Sequence, residues 1–154
     1  MVDLFVARTA HLIFAAIWAG SVFYVAFVVL PLARDGEFNS TAPLEVISGK
    51  LTTITRVSAL VLLLTGVYLG WTFYTVDSLI ETTNGQFVIA KVVLWLVLSG
   101  LVEVGASRFE SGLNGKKLRE PAANVLGLYR LAAVVAIALL VLSGAINSGL
   151  AASL

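Results

Sequence analysis

Two residues of this chain carry chemistry into a setting that rarely tolerates it. His11 is the only histidine among 154 residues, and it lies inside an apolar run that lasts to about Pro31. Lys91 stands near the start of another such run, QFVIAKVVLWLVLSG. A neutral imidazole offers one ring lone pair and one N–H; a lysine offers a cation, or a lone pair once its proton is gone. Ionisable side chains inside a bilayer are rare and costly, and they mark ion paths, proton relays or ligand sites. Each residue also has an ordinary reading. An interior histidine can hydrogen-bond a neighbouring helix, and a lysine one turn from a helix end can snorkel its ammonium to the headgroups. Whether the two side chains meet separates the readings.

The elements that must position them follow from composition. Hydrophobic residues make up 59% of the chain and charged residues 12%, with a mean hydropathy of +0.98. Soluble domains carry about 25% charged residues, so this chain has too few to cover a water-facing surface. The surroundings it expects are a lipid bilayer. No basic run or binding motif points to nucleic acid. Cysteine is absent, which removes disulfides, thiolate metal sites and iron–sulfur clusters. One methionine and one histidine leave almost no soft ligands for Cu(I). Asp3 ahead of Arg8, and an apolar run longer than a signal-peptide core, argue against a cleaved leader.

Four segments can cross a hydrocarbon layer of roughly 30 Å, which takes about 20 residues. They cover about 4–33, 54–76, 87–108 and 125–150. Short links between them predict an all-α, integral membrane, antiparallel four-helix bundle, with a single domain over 1–154. In the first link, Ser40 or Thr41 is placed to cap a short surface helix beginning at Pro43. Lysine and arginine gather in or beside the links 34–53 and 109–124, and are missing from the second link and the C-terminus. The positive-inside rule then places those two links in the cytoplasm and both termini outside the cell membrane. Arg8 is the exception.

Orientation converts sequence position into depth. His11 falls ~10 Å below the outer end of its span and Lys91 ~6 Å below, at 1.5 Å per residue. Tyr68 on the second span and Asn147 on the fourth reach similar levels. The expected cofactor-binding layer is therefore His11, Tyr68, Lys91 and Asn147, joined by Arg8. Arg8, His11, Ala15, Trp18 and Val22 recur at steps of three and four, so they share one stripe that should face the bundle interior. Gly66 and Gly70 form a GxxxG pair that permits close helix contact and leaves room for a flat ligand. Deeper in, Glu103 calls for a partner in Arg56 or Arg130, which can otherwise snorkel. Trp71 suits an interfacial anchor; Trp18 and Trp95 lie deeper and should pack.

The order of motifs resembles a known family. The first span reads HLIFAAIWAGSVFYVAFVVLPL, the second begins ITRVSALVLLLTGVYLG, and the third begins NGQFVIAKVVLWLVLSG. Together they look like the membrane domain of the copper-resistance D family, and like the related membrane protoporphyrinogen oxidase family of the HemJ type. In the latter, a first-span histidine and a third-span lysine are hallmark residues of a haem b protein. That resemblance implies haem b as cofactor, His11 and Lys91 as the iron-ligating candidates, and a HemJ-like oxidoreductase as the candidate activity. Three functions stand as expectations. One is a haem-b-binding membrane protein with a redox or porphyrin-related role. Another is an accessory or structural subunit of a membrane complex. The third is copper or other solute transport. Homo-oligomerisation or a membrane electron-transfer partner fits any of them.

Overall fold

A computed structural model of the chain describes residues 1–148. Residues 149 and 150, which close the fourth expected span, lie outside the described residues. The chain is all-α. Helix α1 (Val2–Tyr24) continues through a π turn (Val25–Val29) into α2 (Leu30–Asp35). Then come α3 (Ala42–Phe73), the short α4 (Val76–Glu81), α5 (Thr83–Asn114) and α6 (Arg119–Asn147). Four helical stretches are long and apolar enough to cross a membrane: Val2–Asp35, Ala42–Phe73, Thr83–Asn114 and Arg119–Asn147. Large apolar side chains such as Phe5, Leu64, Trp71 and Val141 point outward, as hydrocarbon surroundings require. The bundle closes as a ring. The first stretch packs on α3, α3 on α5, α5 on α6, and α6 returns to α1 and α2.

Local chemistry sets the irregular points. Pro31 has no N–H to offer the carbonyl four residues back. The helix widens just before it, and the Leu30 N–H donates five residues back to Val25 O. Gly36 then ends the helix at φ 91°, a left-handed conformation that favours glycine. The Arg119 guanidinium lies so close over Gly36 that a Cβ there would collide with it.

The helices outrun the expected spans. The short surface helix expected to begin at Pro43 is not separate: α3 runs unbroken from Ala42 into the membrane-crossing stretch. Pro43 sits in the first turn, where its missing N–H costs nothing, and Gly49 is too weak a breaker to stop a helix so strongly apolar further on. Thr41 occupies the N-cap without a side-chain cap bond. The second link also holds structure. Thr75 Oγ1 accepts from the Ser78 N–H at 3.2 Å, and Ser78 Oγ accepts from the Thr75 N–H at 2.8 Å, which makes a reciprocal cap for α4.

Burial divides the bundle in two. In the half that carries the first and third links, Trp18, Leu30, Leu44, Thr55, Leu98, Val102, Val125 and Tyr129 are sealed from the surface. In the half that carries the termini, spanning 2–17, 63–97 and 137–148, Gly85 is the one buried residue.

Candidate functional site

The imidazole of His11 sits in the half with the termini, on the face of α1 that meets α3. Its Nδ1 lies 2.7 Å from Thr65 Oγ1, and its Cε1 lies against Gly66, 3.5 Å from where a Cβ would stand. The first glycine of the GxxxG pair is thus the floor under the ring. Gly70 has nothing nearby.

Thr65 fixes the tautomer. Its hydroxyl donates its single proton to Val61 O at 2.6 Å, the usual back-bond of a threonine inside a helix. Thr65 Oγ1 must therefore accept from His11, so Nδ1 carries the ring proton of the neutral imidazole. The lone pair is left on Nε2, and no protein partner meets it among the described residues. A ligating histidine is normally prepared in this way, with the other ring N–H held by a fixed acceptor.

Lys91 arrives from α5, across the ring of helices. It lies within electrostatic range of the His11 ring. Lys91 forms no ion pair or side-chain hydrogen bond among the described residues and is half-buried. One turn further along α5, the Trp95 indole Nε1 is buried without a partner. His11 therefore contacts Thr65 and lies within electrostatic range of Lys91, and Trp95 stands one turn beyond Lys91 on α5.

The remaining members of the expected layer lie elsewhere. Tyr68 is exposed. Its direction is not the expected one: it lies roughly 110° around α3 from the Thr65–Gly66 line that faces His11, at 3.6 residues per turn. Asn147 is exposed on the last turn of α6. Arg8 turns to α3, where its guanidinium stacks 4.7 Å from the centroid of the Phe73 ring. That contact gives the exceptional cation a local structural job. Thr65 is the residue the sequence reading passed over. Its signal was visible, as the one threonine in the run VLLLTGVYLG, immediately before Gly66.

The opposite end of the bundle holds the structural polar contacts. Arg56 donates through Nε and Nη2 to the two oxygens of Glu103 at 2.8 and 3.0 Å, which selects Arg56 over Arg130 as the partner of Glu103. Arg130 instead lies over the Phe27 ring at 5.9 Å. Ser48 donates to Glu110 at 3.1 Å, and the buried Trp18 indole donates to Thr55 at 3.0 Å. Trp18 packs as expected, and Trp71, at the other end of the bundle, stands 89% exposed. Two grooves open at this end, with volumes of about 410 and 230 Å³. Neither includes His11 or Lys91. Among the described residues, no three His, Cys, Asp or Glu side chains come together to hold a metal ion.

Comparison with known protein families, with characterised proteins and with solved structures finds no match for this chain.

Proposed function

We propose that this protein binds haem b in the membrane through His11 Nε2 and serves a redox or porphyrin-related role. The observation that carries this reading is the Thr65–His11 pair, which holds an unprotonated ring nitrogen free of any protein partner beside a half-buried, unpaired lysine. The donor set fits the group. A neutral imidazole is a standard axial ligand of haem iron, and an unpaired ammonium suits a carboxylate such as a propionate. When bound, haem supplies reversible one-electron chemistry at iron and a porphyrin ring system. The chain's own part is to hold the imidazole in one tautomer, to set a cation opposite it, and to leave its neighbouring helices loosely packed at that level.

The resemblance to the copper-resistance D and HemJ-type families points the same way, because His11 and Lys91 take the places of that histidine and lysine. Copper carriage fits the residues less well: one imidazole and no thiolate or internal thioether make a poor Cu(I) path. Lysine and arginine placement favours termini outside and the links 34–53 and 109–124 in the cytoplasm. Under that orientation the His11 site lies toward the outer face.

The visible spectrum of purified protein with haem added tests the reading. The expected result is a Soret band that disappears in His11→Ala and survives in Tyr68→Phe. A wild-type protein that gives no band, or a band indifferent to His11, overturns it.

A further inference from the structure

We propose that the groove between α5 and α6 at the end bearing the links binds the phosphate of an anionic phospholipid headgroup. This inference is independent of the haem reading. The groove, about 410 Å³, is lined by Arg108, Lys117, Glu120, Pro121, Asn124 and Val125 among others.

The charge balance within the groove lining singles out Arg108. Arg34 is bonded to Asp35, Arg56 to Glu103 and Lys117 to Glu120, at 2.8, 2.8 and 2.7 Å. Arg119 leans over Gly36, and its charge acts on Asp35. Arg108 has no carboxylate partner among the described residues and faces into the groove. Glu120, the acid in the lining, is already neutralised by Lys117. Within the groove lining, what remains is one uncompensated guanidinium, whose planar fork matches two phosphate oxygens. The Asn124 amide supplies a neutral donor alongside.

The rest of the lining decides between a lipid and a soluble phosphate. Pro121 and Val125 give the groove an apolar floor beside its cations, which suits a glycerol backbone and the start of an acyl chain. Gly112 sets where the groove begins: it meets the Pro121 ring so closely that no Cβ would fit between them. Arg108 stands six residues before the end of α5, and Pro121 to Val125 form the first turns of α6. The groove therefore sits at headgroup depth. Basic pockets between helices at the cytoplasmic side are where anionic headgroups are held.

Native mass spectrometry of the full chain in detergent, with phosphatidylglycerol and phosphatidylcholine added in equal amounts, provides the test. The wild type should retain phosphatidylglycerol preferentially. Arg108→Gln should cut that preference about fivefold, the weight of one cation at an anionic surface. Arg108→Lys should keep most of it. Lys50→Gln removes an exposed cation at the same end but outside the groove, and should change it less than twofold. Equal retention of both lipids, or an equal loss in Lys50→Gln, would overturn the proposal. So would displacement of the lipid by excess inorganic phosphate, which would assign the groove to a soluble anion.

Discussion

The two halves of the bundle solve different problems with the same apolar composition. Where the links lie, helix surfaces interlock: Tyr129 fills the space over Gly105, Pro121 sits on Gly112, and the Trp18 indole reaches Thr55. Where the termini lie, α1 meets α3 through a histidine, a threonine and a glycine, and little is sealed. Lipid tails are as apolar as leucine, so no hydrophobic drive closes helices together in a bilayer. Shape complementarity and interhelical hydrogen bonds decide where they close. The packed half has Tyr129 over Gly105 and the Trp18–Thr55 and Arg56–Glu103 bonds. The other half has the His11–Thr65 bond and few sealed side chains. Stability and the candidate site are therefore carried by separate residues.

The largest effect that checks this division is at Trp18. Its side chain is 1% exposed and its N–H is bonded to Thr55. Trp18→Ala should lower stability by roughly 3–5 kcal/mol, the usual cost of an emptied aromatic site. Trp71→Ala, at the open end, should stay within about 0.5 kcal/mol. Thermal unfolding in detergent followed by circular dichroism compares the two. Similar losses from both would erase the distinction between the halves.

A paired glycine experiment should give opposite signs. A Cβ at Gly105 would lie 2.8 Å from Tyr129 Cε2, with that ring fully enclosed. Gly105→Ala should cost about 1–3 kcal/mol through overpacking. Gly70 has open space around it, so Gly70→Ala should gain up to about 1 kcal/mol from helix propensity. The same unfolding assay reads both. A gain at Gly105 would mean that α5 and α6 are not held at contact distance.

Much of this was legible in the sequence, for identifiable reasons. The four spans follow from hydropathy, and the Arg56–Glu103 pair follows from the cost of a lone carboxylate near the membrane interface. That His11 and Lys91 lie within electrostatic range of each other is in keeping with depth arithmetic on antiparallel helices. Depth, however, carries no azimuth. Tyr68 and Asn147 face outward, while Thr65, one turn from Tyr68, faces His11. The continuity of α3 through residues 42–53 was hidden because proline and glycine read as breakers. Pro43 falls in the first turn, where it favours the helix. The uneven packing was hidden too, since both halves have the same apolar character. Only the fit of particular side chains, such as Tyr129 over Gly105, tells them apart.

Within the open half, Thr65→Val separates ligand chemistry from folding. Valine keeps the shape and removes the acceptor that holds the His11 Nδ1 proton. Haem affinity should fall about tenfold, as when the orienting partner of a ligating histidine is lost, with the Soret band still formed at saturating haem. Unfolding of the haem-free protein should move by less than about 1 kcal/mol. Haem titration followed by absorbance measures the first effect. An unchanged affinity would mean that Thr65 does not set the ring, and the link between the open half and ligand chemistry would weaken.

The smallest expected effect lies in the link that ties α5 to α6 at the packed end. Lys116 adopts φ 55°, and its N–H donates to Leu113 O at 2.8 Å as α5 unwinds. The left-handed region costs a side chain with a Cβ about 1 kcal/mol. Glycine relieves that strain but gives the unfolded chain more freedom, so Lys116→Gly should stabilise by only about 0.5 kcal/mol. Lys116→Ala loses the same charge and keeps the strain, so the difference between the two variants isolates the backbone. A chain of this size should show a melting difference of about 1–2 °C in favour of glycine. Melting temperatures in the opposite order would mean that the link does not hold Lys116 left-handed, and that the packed half is less tightly closed by its turn than by its side chains.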